Sequence, residues 1–193
     1  MFAFASPLCG GGSALVRSGS ARLLDIQAVL FDERYPAARM FGHAASSLRL
    51  PSFGFDGDLT ALWTDEIYPR WLRRPTAIAG LTNHQSLICL EGFARLYDSR
   101  LIFRCEHSLS STAQERIVHA TKAISESDLV GLAGSSWPVA LAQLVSRMTP
   151  GGGPLLKLGT SQSPAIDNAG GCLFSWVIAP RVAHQIKLEE FPS

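Results

Sequence analysis

A chain of 193 residues that is 47% hydrophobic and 17% charged is long enough for one core of ordinary size and too apolar to be disordered. Lys and Arg total 17 against 16 Asp and Glu, a formal charge of +1, so no global field draws the chain to nucleic acid or to an anionic membrane. The 4 cysteines are dispersed and form no C-x-x-C pair, which argues against a disulfide framework and suits a reducing compartment.

The first 22 residues read as a loosely ordered leader. Met1 to Val16 is uncharged, but no basic residue precedes it as a secretory signal requires, so the expected location is cytoplasmic, with a degenerate export segment as the alternative. From residue 23 to 193 the punctuation predicts a single α/β domain. Ile26 to Phe31 is a short apolar run ending in Asp32-Glu33-Arg34, as a buried parallel strand would on meeting solvent. Pro36 opens a helix that fades near Ser46-Ser47, and Leu48 to Phe55, interrupted by Pro51 and Gly54, is a weak strand suited to a sheet edge.

Asp56-Gly57-Asp58 starts a second helical stretch with Leu59, Leu62, Trp63, Ile67 and Trp71 at helical spacing, divided at Pro69 and stopped by Pro75. The arginines at its end, Arg70, Arg73 and Arg74, read as a solvated face favoured by the helix dipole. Thr76 to Leu81, Asn83 to Tyr97 and Arg100 to Cys105 then form strand, helix and strand, a βαβ unit with parallel strands. Ala113 to Ser125 reads as an amphipathic helix and Trp137 to Met148 as an apolar one. The uncharged stretch Leu129 to Ser146 holds Gly131, Gly134 and Pro138, so a helix pair is expected there and no integral membrane span. The Gly- and Pro-rich segment 149–171 is expected to be a long loop, and Cys172 to Ala179 a final strand. The expected fold is therefore an open, mainly parallel sheet of about five strands with flanking helices, layered like a flavodoxin or Rossmann domain, with a more helical C-terminal half.

Ligands of such sheets sit outside the carboxyl ends of the strands, at a switch in strand order. Three clusters are expected to gather there: Asp32-Glu33-Arg34, Thr82-Asn83-His84-Gln85-Ser86, and Cys105-Glu106-His107. Thr82, Asn83, His84 and Ser86 could hold a small anion at a helix start, or simply cap that helix. His84, Glu106 and His107 are candidates for proton transfer, because a carboxylate beside an imidazole tunes it near neutral pH. Cys105, Glu106 and His107 are metal-ligand types without paired spacing, so no metal site is expected.

Asp56-Gly57-Asp58-Leu59-Thr60 resembles the D-x-D-x-T motif of haloacid dehalogenase-type phosphatases, and Thr82 could stand for that family's second motif. The resemblance covers five residues and implies Asp56 as nucleophile, Asp58 as the group handling the leaving-group proton, and magnesium. No later lysine and acidic pair stands in the right order to hold that ion. No phosphate loop, dinucleotide fingerprint or nucleophile elbow occurs.

The low charge, the apolar surplus and the anchors Trp63, Trp71, Trp137 and Trp176 lead to the expectation of a non-catalytic accessory or binding subunit. It would meet a protein partner, or another copy of itself, through apolar, Trp-rich surface. The alternative is a small enzyme or anion-binding domain at the strand ends; no cofactor is indicated.

Overall fold

The computed structural model describes residues 23–109, 113–121, 124–151, 154–164 and 172–181. The leader, Cys9 and positions 152–153 and 165–171 of the expected loop lie outside them.

The chain order is β1 (Ile26–Asp32), α1 (Pro36–Ser47), β2 (Ser52–Phe55), α2 (Thr60–Leu62), a π-helical turn (Trp63–Ile67), α3 (Tyr68–Arg73), β3 (Ala77–Asn83) and α4 (His84–Arg95). It continues with β4 (Ser99–Leu109), β5 (Ala113–Ala120), α5 (Glu126–Ala133), α6 (Trp137–Ser146), β6 (Leu156–Pro164) and β7 (Leu173–Pro180). The strands form one open, mixed sheet in the order β2-β1-β3-β7-β4-β5-β6. Only β1–β2 and β1–β3 are parallel, and the other four pairings are antiparallel. The expectation of a mainly parallel sheet of about five strands is thus corrected, while the α/β class stands.

Three elements account for the correction: β7, which pairs antiparallel with both β3 and β4, and two strands that were not expected. Ala113–Ala120, expected as a helix, is β5, and Leu156–Pro164, expected within a loop, is β6. In β5 the apolar positions Val118 and Ala120 are buried at a spacing of two; pairing on both sides overrides a helical pattern of equal quality. The C-terminal half is accordingly richer in strand than expected. The βαβ unit is real but split. β3 and β4 run parallel with β7 inserted antiparallel between them.

Alternation along the strands sorts the core into two layers. Val29, Phe31, Ala79, Leu81, Phe103, Cys105 and Val177 face α1 and α6. Ala28, Leu30, Ile78, Phe174, Trp176 and Ile178 face α3, α4 and the π turn, where Trp63, Ile67, Trp71, Leu87 and Leu90 cover them. All four tryptophans are therefore core residues, with Trp71, Trp137 and Trp176 at most 1% exposed; they are not the surface anchors expected from composition. Trp176 fits because it crosses Gly80. A Cβ there would overlap the indole ring and stand 2.7 Å from the Leu30 carbonyl oxygen.

Pro69 explains the π turn. It lacks the N–H that would continue the ladder, and its ring crowds the carbonyl four residues back. The Tyr68 N–H instead reaches Trp63, five residues back. No helix among the described residues is long and apolar enough to cross a membrane.

Candidate functional site

β1 leads through α1 on one face to β2, whereas β3 leads through α4 on the other face toward β4, so the strand order switches between β1 and β3. At their carboxyl ends Asp32 is fully buried and accepts from Arg34 at both oxygens, from Nε at 2.9 Å and Nη2 at 2.7 Å, and also from the Arg34 amide at 3.2 Å. Asp32 is thus committed to pinning its own turn, and it holds the Arg34 guanidinium further in its charged form. Arg34 in turn lies against Gly57, where a Cβ would stand 2.8 Å from its Cζ; the φ of +76° at Gly57 also favours glycine.

Beside this switch a crevice of about 420 Å³ opens between the start of α2 with its π turn and the first turns of α4. Gly57, Asp58, Thr60 and Thr64 border it on one side, Gln85, Ser86 and Cys89 on the other, with Trp63 and Phe93 as its aromatic wall. Asp58 caps α2, its Oδ1 accepting the Thr60 N–H at 2.8 Å, and the hydrogen bonds from Thr60 hold its carboxyl below the usual range. Asn83 caps α4 through Oδ1, which accepts the Ser86 N–H at 2.8 Å. Trp63 and Phe93 stack on one another, centroids 4.5 Å apart and planes 19° from parallel.

The residues expected at the strand ends distribute unevenly around this crevice. Ser86 and Gln85 line it. Thr82 does not, because it is buried, its Oγ1 accepting the Trp176 indole N–H at 3.0 Å and donating to the Asn83 carbonyl. That spent hydroxyl is not free to act as the second motif of the phosphatase resemblance, and Asp56 follows the sheet-edge strand β2 rather than a central strand. His84 is exposed and packs on Phe174 at 4.8 Å.

Glu106 and His107 were expected in a loop, but β4 runs on to Leu109 and makes them strand neighbours on opposite faces. On one face Arg104 lies over the Phe174 ring at 4.7 Å and 3.7 Å from Glu106. Glu106 also accepts from the Cys172 thiol at 3.7 Å, and burial followed by this carboxylate pushes the thiol up to about 11. On the other face His107 is fully buried, its Nε2 2.9 Å from Ser175 Oγ and its ring stacked on Trp137 at 4.1 Å. His107 and Glu106 therefore cannot share a proton, and Cys105, on the His107 face, completes no ligand set with Glu106. Among the described residues no group of three His, Cys, Asp or Glu could hold a metal ion.

The crevice residues absent from the expected set are Trp63, Thr64, Cys89 and Phe93. A signal existed. Thr60, Trp63 and Thr64 are spaced i, i+3, i+4, and Ser86, Cys89 and Phe93 are spaced i, i+3, i+7, each set on one helical face. Comparison with protein-family models, with curated proteins and with solved structures found no match to this chain.

Proposed function

We propose that this chain is a small-molecule-binding α/β domain whose site is the crevice between α2 and α4. The observation that supports it is position with size. A cavity of about 420 Å³, lined by hydroxyl, amide, carboxylate and aromatic groups, stands beside the switch in strand order, where open α/β sheets take ligands. Binding is favoured over catalysis because, among the described residues, Asp58 and Cys89 are the only ionisable groups in the lining, and His84, His107 and Glu106 are not part of it.

The test is a fragment screen read by amide chemical shifts. Fragments are expected to move Thr64, Gln85 and Cys89, and Cys89→Trp, at an exposed position, is expected to abolish those shifts without altering the fold. Fragments that bind elsewhere, or that ignore Cys89→Trp, overturn the reading.

A second reading, the accessory subunit with a protein partner, is favoured by exposed Met40, Leu48 and Val139 around an apolar hollow of about 500 Å³ between α1 and α6. It no longer draws on the tryptophans. Met40→Asp is expected to disperse a stoichiometric complex on that reading and to leave crevice binding untouched.

A further inference from the structure

We propose that the crevice takes a cationic ligand, an organic amine whose ammonium group pairs with Asp58 while its apolar body lies along Trp63 and Phe93. This rests on the crevice being the ligand site and names the class of ligand it accepts.

Charge is the first argument. Among the described residues, Asp58 is the only charged side chain in the lining. Arg34, which lies against Gly57 at the crevice edge, is held by both oxygens of Asp32, and Asp56 adds a further negative charge beside it. Asp32, Asp56 and Asp58 against Arg34 leave the rim negative. The start of α4 contributes about half a positive charge, which is smaller than one carboxylate, and Asn83 already takes its Ser86 N–H. An anion at this position would face the Asp58 carboxylate, and a cation is proposed here in place of the small anion expected from Thr82, Asn83 and His84.

Hydrogen-bond polarity is the second and independent argument. The Thr64 hydroxyl donates to the Ala61 carbonyl at 3.2 Å or to Asp65 Oδ1 at 2.9 Å, so it turns lone pairs outward. The Thr60 N–H is spent on Asp58. Ser86 is 4% exposed and its side chain lines the crevice; its hydroxyl makes no hydrogen bond to protein among the described residues. The wall thus presents the Asp58 carboxylate and the Thr64 oxygen as acceptors, while the Ser86 hydroxyl and the Gln85 amide can accept or donate. An ammonium supplies three donors and no acceptor, which suits the carboxylate and the Thr64 oxygen and lets Ser86 and Gln85 accept as well. Trp63 and Phe93 supply the apolar surface for an attached hydrocarbon or ring.

The experiment titrates the full chain with three probes of similar shape, 2-phenylethylammonium, 2-phenylethanol and phenylacetate, following the amides of Thr64, Gln85 and Cys89. The amine is expected to bind at least about tenfold more tightly than the alcohol, the advantage of a charge-assisted hydrogen bond. Asp58→Asn, which keeps a good helix cap, is expected to erase that preference and leave the alcohol unchanged. Thr64→Val, at an exposed position, is expected to weaken the amine alone. If the alcohol or phenylacetate moves these amides as strongly as the amine, or if Asp58→Asn leaves amine affinity intact, the cationic class is overturned while the crevice survives as a ligand site. If no probe moves them and the fragment screen also leaves them still, both readings fall.

Discussion

The sheet has a parallel part, β1 to β3, and an antiparallel part, β4 to β6, joined by β7, and polar residues mean different things in the two. In the parallel part helices cover both faces, β1 and β3 are buried almost end to end, and most polar groups lie at or beyond the strand ends. There the cap Asp58 and the α4 start meet at one crevice, with Arg34 of the β1 turn against Gly57 at its edge. In β4 polar residues lie within the strand, so alternation sends Arg104 and Glu106 to one face and His107 to the other. Residues contiguous in sequence are divided between two faces inside a strand, whereas those beyond a strand end, such as Gln85 and Ser86, are free of that alternation.

The largest expected effect tests the seam between the two parts. Gly80→Val in β3 pushes a side chain into Trp176 of β7 and toward the immobile Leu30 carbonyl, and it is expected to cost about 3 kcal/mol or more in urea unfolding, the upper end for overpacking. A wild-type midpoint would show that the seam yields.

Next comes a paired substitution. Trp176→Phe loses the indole donor to buried Thr82, whereas Trp71→Phe removes an Nε1 that finds no acceptor among the described residues. The two lose similar volume, so Trp176→Phe is expected to be worse by about 1–3 kcal/mol, the value of a buried hydrogen bond and its stranded partner. Equal costs would place the value of Trp176 in packing alone.

The histidines sharpen the contrast between strand interior and strand end. Ser175→Ala, which strips His107 of its hydroxyl partner in the core, is expected to cost about 1–3 kcal/mol, while His84→Ala at the exposed strand end should stay within about 0.5 kcal/mol. The reverse order, measured by thermal or urea unfolding, would break the comparison.

The smallest effect concerns rates rather than stability. Thiolate is the reactive form, and a thiol pushed up to about 11 stays protonated at pH 8. Exposed Cys89 should therefore alkylate before Cys172, and the Cys172 rate should keep rising as the pH approaches 11. Glu106→Gln removes the negative charge that disfavours the thiolate, so it should speed Cys172 at pH 8; peptide mapping of a timed iodoacetamide reaction reads both.

Several elements were legible because local chemistry dictates them. Ile26–Phe31 is apolar throughout, Pro36 and Pro138 sit in first helical turns, Asn83 is a capping residue before a helix, and Pro69 has to disturb any helix that contains it. Ser86 and the Asp56–Thr60 turn were marked for the same reason, and both border or line the crevice. The illegible part was what depended on partners. The residues of β5 satisfy a helical pattern as well as a strand pattern, and only pairing with β4 and β6 decides between them. Glu106 and His107 were misplaced because the end of β4 is set by its partners β5 and β7, not by its own composition.

By itself, then, the sequence determined an α/β domain with its first strands and helices in order, through propensity, caps and prolines acting over a few residues. Tertiary structure alone decided that β7 inserts between β3 and β4, that the tryptophans turn inward, and that the crevice lies between α2 and α4. The physical reason is range. A cap or a proline acts through bonds to its neighbours, whereas strand order and the closing of two helices around a cavity depend on burial between residues far apart in the chain, which no local pattern encodes.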